Sequence, residues 1–225
     1  MRASIFYTPP ADHPLTRATS IWLGRDAFTG ARTREADAAI DPLIVTPARY
    51  GFHATIKAPF RLAEGTTLDA LDAALAEFCA GRAPFVLPRL SIRRLGGFFA
   101  LVTETPPPAL AALEKDVVMQ FDAFRAPLTE AEIRRRRPER LTARQRDLLD
   151  RWGYPTVLEE FRFHMTLSGD VAEKNRDEAE RVIRDHIGDA EGTALVFDRL
   201  ALFVEPEPDA PFTIRSVHPF GAAPR

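Results

Sequence analysis

Along this chain, short runs that alternate apolar and polar residues are separated by stretches with helical apolar spacing. Residues 4–7 read as a short apolar strand, and Leu15, Ala18, Ile21 and Trp22 mark a helical face over residues 15–23. Residues 52–58 alternate strictly and end at Pro59, which cannot donate to a strand ladder. The clearest helix covers residues 67–80. Thr67 is placed to cap it, Leu68, Leu71, Leu75 and Phe78 share one face, and Gly81 follows. Residues 85–93 then read as a strand.

The same order returns in the second half. Residues 98–103 form a strand behind Gly96-Gly97, and Pro106-Pro107-Pro108 is placed to start a helix over 109–124. Residues 162–167 alternate as 52–58 do. A helix at 175–187 has Val182, Ile183 and Ile187 apolar and Gly188 behind it, and strands at 194–204 and 212–217 complete the chain. Strand, helix, strand, helix, strand thus occurs twice. This repeats architecture rather than sequence. The expected organisation is a single domain over residues 1–225 made of two pseudo-repeats, about 1–95 and 96–225.

Residues 125–160 exceed the repeat. They carry Arg134, Arg135, Arg136 and Arg137 in a row, then Arg140, Arg144, Arg146 and Arg151, with a helical segment at 141–152. They form either a solvated insertion or a rim whose arginines attract a phosphorylated substrate. The polar, Pro-bounded stretch 29–47 reads as a loop or short helix at the margin of a cleft.

The two alternating strands carry the chemistry. One reads Phe52-His53-Ala54-Thr55-Ile56, the other Phe163-His164-Met165-Thr166-Leu167. Successive side chains of a strand face opposite ways, so His53 and Thr55 share a face with Lys57, and His164 and Thr166 share one with Arg162 and Ser168. Imidazole and hydroxyl then lie ~7 Å apart on each strand. Paired imidazoles serve as general base and acid near neutral pH, and paired hydroxyls hold an anionic oxygen. Lys57 and Arg162 are phosphate contacts or surface charges beside the site. Tyr7, Tyr50, Phe60 and Tyr154 line a base or sugar pocket or belong to the core.

Composition narrows the setting. Hydrophobic residues make up 45% and charged residues 28% of 225 residues, ordinary for a soluble globular protein. A net charge of −2 sets up no global field for nucleic acid or an anionic membrane. The single Cys79 allows no intramolecular disulfide, suits a reducing cytoplasm and falls in an apolar stretch where an inert thiol is expected. The first residues reach Pro9-Pro10 too soon for a secretory signal, and no apolar run could span a bilayer, so a cytoplasmic location is expected. His13, His186 and His218 have no metal-site spacing, and no Gly-rich loop opens a helix in the manner of a phosphate-binding loop. No metal or cofactor is expected.

The twin His-x-Thr-hydrophobic motifs, one per half, resemble those of the 2H phosphoesterases, which include 2′,5′-RNA-ligase-like proteins and cyclic nucleotide phosphodiesterases. The longer strings Tyr50-Gly51-Phe52-His53-Ala54-Thr55-Ile56-Lys57-Ala58-Pro59-Phe60 and Phe161-Arg162-Phe163-His164-Met165-Thr166-Leu167-Ser168-Gly169 are similar to a bacterial subgroup encoded alongside phosphonate-utilisation genes. The resemblance implies a duplicated, two-lobed α+β fold with antiparallel sheets forming a central cleft and helices packed outside. It gives His53, Thr55, His164 and Thr166 the catalytic roles. It implies a metal-independent phosphodiesterase acting on a small cyclic phosphate ester, in phosphonate metabolism. Two alternatives stand beside it: processing of RNA 2′,3′-cyclic phosphate or 2′,5′-linked ends, disfavoured by the net charge, and a non-catalytic protein that binds a phosphorylated ligand.

Overall fold

The computed structural model describes residues 1–221. Its strands are β1 (Arg2–Tyr7), β2 (Ala54–Phe60), β3 (Phe85–Leu87), β4 (Leu90–Leu95), β5 (Phe98–Thr103), β6 (Met165–Thr166), β7 (Leu195–Phe197), β8 (Arg199–Glu205) and β9 (Thr213–Pro219). Its helices are α1 (Pro14–Trp22), α2 (Asp41–Tyr50), α3 (Leu68–Ala80), α4 (Pro108–Gln120), α5 (Glu130–Arg135), α6 (Ala143–Trp152) and α7 (Arg176–Ile187). This is a mixed α+β fold, and every strand pair in it is antiparallel.

Seven strands make one sheet in the order β4-β5-β6-β2-β1-β8-β9, and β3 pairs with β7 apart from it. The two His-bearing segments meet at its middle, where β2 and β6 are joined by the single register pair Ala54↔Met165. One lobe is β4-β5-β6 and the other β2-β1-β8-β9. The halves therefore exchange strands: the first lends β4, which pairs with β5, and the second lends β8, which pairs with β1, and β9 beyond it.

That exchange follows from two breaks that the alternation alone does not reveal. The expected strand 85–93 divides at Pro88, which has no N–H for a ladder, so β3 and β4 go to different sheets. The expected strand 194–204 divides at Asp198, whose carboxylate turns to the Arg199 guanidinium at 2.7 Å and 3.0 Å. The second His strand, expected over 162–167, keeps strand pairing only at Met165 and Thr166.

The helices form where their end signals sit. The Thr67 hydroxyl accepts from Ala70 N at 3.1 Å and opens α3, which buries Leu71, Leu75, Phe78 and Cys79 against β8 and β9. Cys79 is fully buried, and burial pushes its thiol up to about 12. The His13 ring caps α1 by accepting from Leu15 N. Trp22 at the end of α1 is buried, and its indole donates to Leu167 O at 2.7 Å, fastening the first half of the chain to the second His segment. Among the described residues no helix is long and apolar enough to cross a membrane.

Candidate active site

His53 and His164 each lie one position before their strand, in the same local setting. Phe52, Ala54 and Ile56 are buried, as are Phe163, Met165 and Leu167, while both histidines and both threonines stay half-buried toward the cleft. Each ring is anchored alike. His53 Nδ1 is 2.8 Å from Gly51 O and His164 Nδ1 is 2.8 Å from Arg162 O. A carbonyl only accepts, so both Nδ1 atoms carry hydrogen and the Nε2 atoms are left for chemistry. Thr55 Oγ1 lies 3.3 Å from His53 Nε2. The carbonyl that anchors His53 belongs to a glycine with φ of 76°, where an added Cβ would come within 2.5 Å of the Ala27 Cβ. Any other residue there would be strained and would force Gly51 or Ala27 to shift.

The two imidazoles differ in what surrounds them. His53 stacks on Phe6 with ring centroids 3.9 Å apart, and Tyr50 and Phe203 stand at 5.8 Å and 6.1 Å. Burial pushes its pKa down to about 4, the Gly51 bond opposes the shift, and the charge of His164 adds to it. His53 is therefore neutral across the physiological range. His164 faces the Phe98 ring, with centroids 5.8 Å apart.

Both histidines and both threonines line one cavity of about 430 Å³. Tyr154 lines it too, and α2 brings Thr46, Arg49 and Tyr50 to its wall. Phe6 and Arg2 enter from β1. The sequence reading passed over both, although the period of two on β1 sets Arg2, Ser4 and Phe6 on one face. Arg2 and Arg49 converge on one carboxylate, Glu205, which is 1% exposed. Glu132, also in the wall, pairs with Arg61 at 3.1 Å.

Four candidates lie elsewhere. Lys57 is buried, donates to Val118 O at 3.0 Å and pairs with Asp122 at 3.4 Å. Strict alternation would aim it beside Thr55, but the register against β1 shifts between Phe6↔Thr55 and Ile5↔Lys57 and turns it toward α4. Burial lowers its pKa to about 8 despite Asp122. Tyr7 is fully buried, stacked on Phe197 at 4.1 Å with its hydroxyl donating to Val196 O. Arg162 is exposed and lines an adjoining hollow of about 330 Å³, walled by Leu95, Phe98 and Phe161, that shares His164 and Tyr154 with the cleft. Phe60 is buried in the core.

Residues 55–213 match a family described as "Protein of unknown function (DUF1045)". The chain belongs to this family. It is 37% identical over 221 residues to a protein of Janthinobacterium sp. (strain Marseille) named ribose 1,5-bisphosphate phosphokinase PhnN, covering 94% of this chain and 49% of that protein. A protein of the same name from Laribacter hongkongensis (strain HLHK9) is 35% identical over 217 residues, covering 95% of this chain and 50% of its own. The chain thus spans about half the length of the curated relatives it matches. The fold is that of the 2H phosphoesterases. The crystal structure of TT0787 from Thermus thermophilus is similar with a TM-score of 0.50 and 14% identity, covering 98% of both chains. This chain joins that fold to an imidazole pair anchored through matching Nδ1 bonds.

Proposed function

We propose that the protein is a metal-independent phosphodiesterase that opens a small cyclic phosphate ester. The observation that carries this reading is the pair of imidazoles in one cleft, each fixed by an Nδ1–H bond to the carbonyl two residues upstream. Opening the ring adds water to phosphorus, breaks one P–O ester bond and places a proton on the released oxygen. The base must start neutral, which assigns that role to His53 and leaves the acid role to His164. Thr55 and Thr166 donate to the non-bridging oxygens as charge gathers on them. Among the described residues no group of three or more His, Cys, Asp or Glu could hold a metal ion.

The name of the relatives supports one substrate class. Ribose 1,5-bisphosphate is what water makes from a ribose 5-phosphate carrying a 1,2-cyclic phosphate, when the bond from phosphorus to O2 breaks and the phosphate stays on C1. We assign the protein to that opening, upstream of a phosphokinase. The second reading is opening of RNA 2′,3′-cyclic ends, favoured by the apolar hollow beside His164, which has room for a base.

Turnover of the cyclic ribose phosphate is expected to continue unchanged in EDTA, and to exceed that of 2′,3′-cyclic nucleotides. Loss in EDTA that a divalent metal restores would refute the chemistry. Faster opening of the nucleotides would favour the second reading, and tight binding without turnover would make the protein a sensor. The acid limb of kcat/KM should lie near pH 4, because His53 accepts no proton once it carries one. A limb near ~6.5, the ordinary imidazole value, would remove His53 from the base role.

A further inference from the structure

We propose that Arg136, with Arg135 beside it, forms a subsite for a second phosphate group of the substrate, one that does not react. The proposal rests on the cyclic-ester reading above. Of the four consecutive arginines, Arg134 turns back along α5 to Glu130 at 3.3 Å, while Arg135 and Arg136 line the cavity that holds the two histidines. Among the described residues neither of these two has a carboxylate partner, whereas Arg2 and Arg49 in the same wall are committed to Glu205. The positive charge left over is therefore concentrated on the insertion side.

The insertion is also fixed in place. Arg61, just past β2, grips both oxygens of Glu132 at 3.1 Å, and Ala126 N donates to Arg61 O at 2.8 Å. Glu132 closes the capping box with Thr129 that starts α5. At the other end of α5 the Arg136 guanidinium lies 4.6 Å over the Tyr154 ring, and Tyr154 itself lines the cleft. A guanidinium seated over a ring keeps the N–H donors along its edge free, and those donors can grip a phosphate with two bonds. A cyclic diester carries one negative charge and is served by the imidazoles and hydroxyls. A monoester carries nearly two, and its place is at the paired arginines. The substrate is thus a cyclic ester that also bears a terminal phosphate monoester.

The test compares ribose 1,2-cyclic phosphate with and without a 5-phosphate. The wild-type protein should prefer the 5-phosphorylated compound by about 30-fold or more in kcat/KM, from charge-assisted hydrogen bonds. In Arg135→Ser/Arg136→Ser that preference should fall to within about 3-fold. Arg136→Lys, which keeps the charge, guards against a folding defect and should retain an intermediate preference. No preference in the wild type, or an undiminished one in the double variant, overturns the subsite. If the wild type opens neither compound, the reaction is wrong, and calorimetry with ribose 1,5-bisphosphate and ribose 1-phosphate decides the subsite separately. Tighter binding of the bisphosphate, lost in the double variant, supports it. Equal affinity refutes it.

Discussion

Replacing His53 by Ala is expected to lower kcat by about 10²–10⁴-fold, and His164→Ala should do the same, because each removes one proton transfer. The double variant should be far less impaired than the product of the two losses, since base and acid serve one bond-breaking event. KM should change little, because the phosphate is still held by Thr55, Thr166 and the cationic walls. The two variants should differ in their pH profiles. His164→Ala should keep the acid limb near pH 4 set by His53, whereas His53→Ala should lose it. Single-turnover rates measured from acid to mildly alkaline pH would show this. Multiplicative losses would mean that the histidines act independently and that the two-sided mechanism is wrong.

Glu205→Gln should carry the largest cost in stability, about 2–3 kcal/mol, from the loss of a buried charge pair. The carboxylate is 1% exposed and accepts from both Arg2 and Arg49. Removing its charge leaves two guanidinium groups facing an uncharged amide, and breaking a buried pair in this way costs about 3–5 kcal/mol. The expected cost falls at or just below the foot of that range because water reaches both arginines, which are 21% and 26% exposed. Burial alone would raise the Glu205 pKa, but the hydrogen bonds from Arg2 and Arg49 outweigh it and hold the carboxyl below its ordinary value. A depressed carboxyl stabilises the fold above its unfolded pKa of about 4.3 and loses that contribution as pH falls through the folded value. The gap in urea midpoint between wild type and variant should therefore be full at neutral pH and shrink below about pH 4. Equal midpoints at neutral pH would show that the carboxylate stabilises nothing.

The face shared by each histidine and threonine was legible because it rests on the shortest-range rule in a strand. Alternation puts His53 with Thr55 and His164 with Thr166 whatever lies around them. It becomes unreliable where pairing shifts. Lys57 obeys the same alternation on paper, but a register change against β1, set by residues far away in the chain, turns it into the protein. Tyr7 shows the opposite case. Its own strand places it away from Phe6, and with the strand begun at Arg2 the period would have set it in the core and brought Arg2 and Phe6 to the cleft. The arginine run was visible as charge, but charge does not say which residue faces inward. That is decided by the Arg61–Glu132 clamp between distant segments. The split strands were hidden for a like reason. A proline or an aspartate marks a break, and only the partners show that the pieces part company.

The exchanged strands also set the order in which the protein can assemble. β1 is made long before its partner β8, with Arg2 opposite Glu205. During synthesis β1 and β2 can pair early, but one edge of that ribbon waits for residues 199–205 to leave the ribosome. Pairing across so long a separation makes folding slow and leaves an unpaired edge open to wrong partners. The binding wall waits as well, since Arg2 and Arg49 lack the Glu205 counter-charge until that strand arrives. A nascent chain stalled before β8 therefore holds both histidines and no finished cleft.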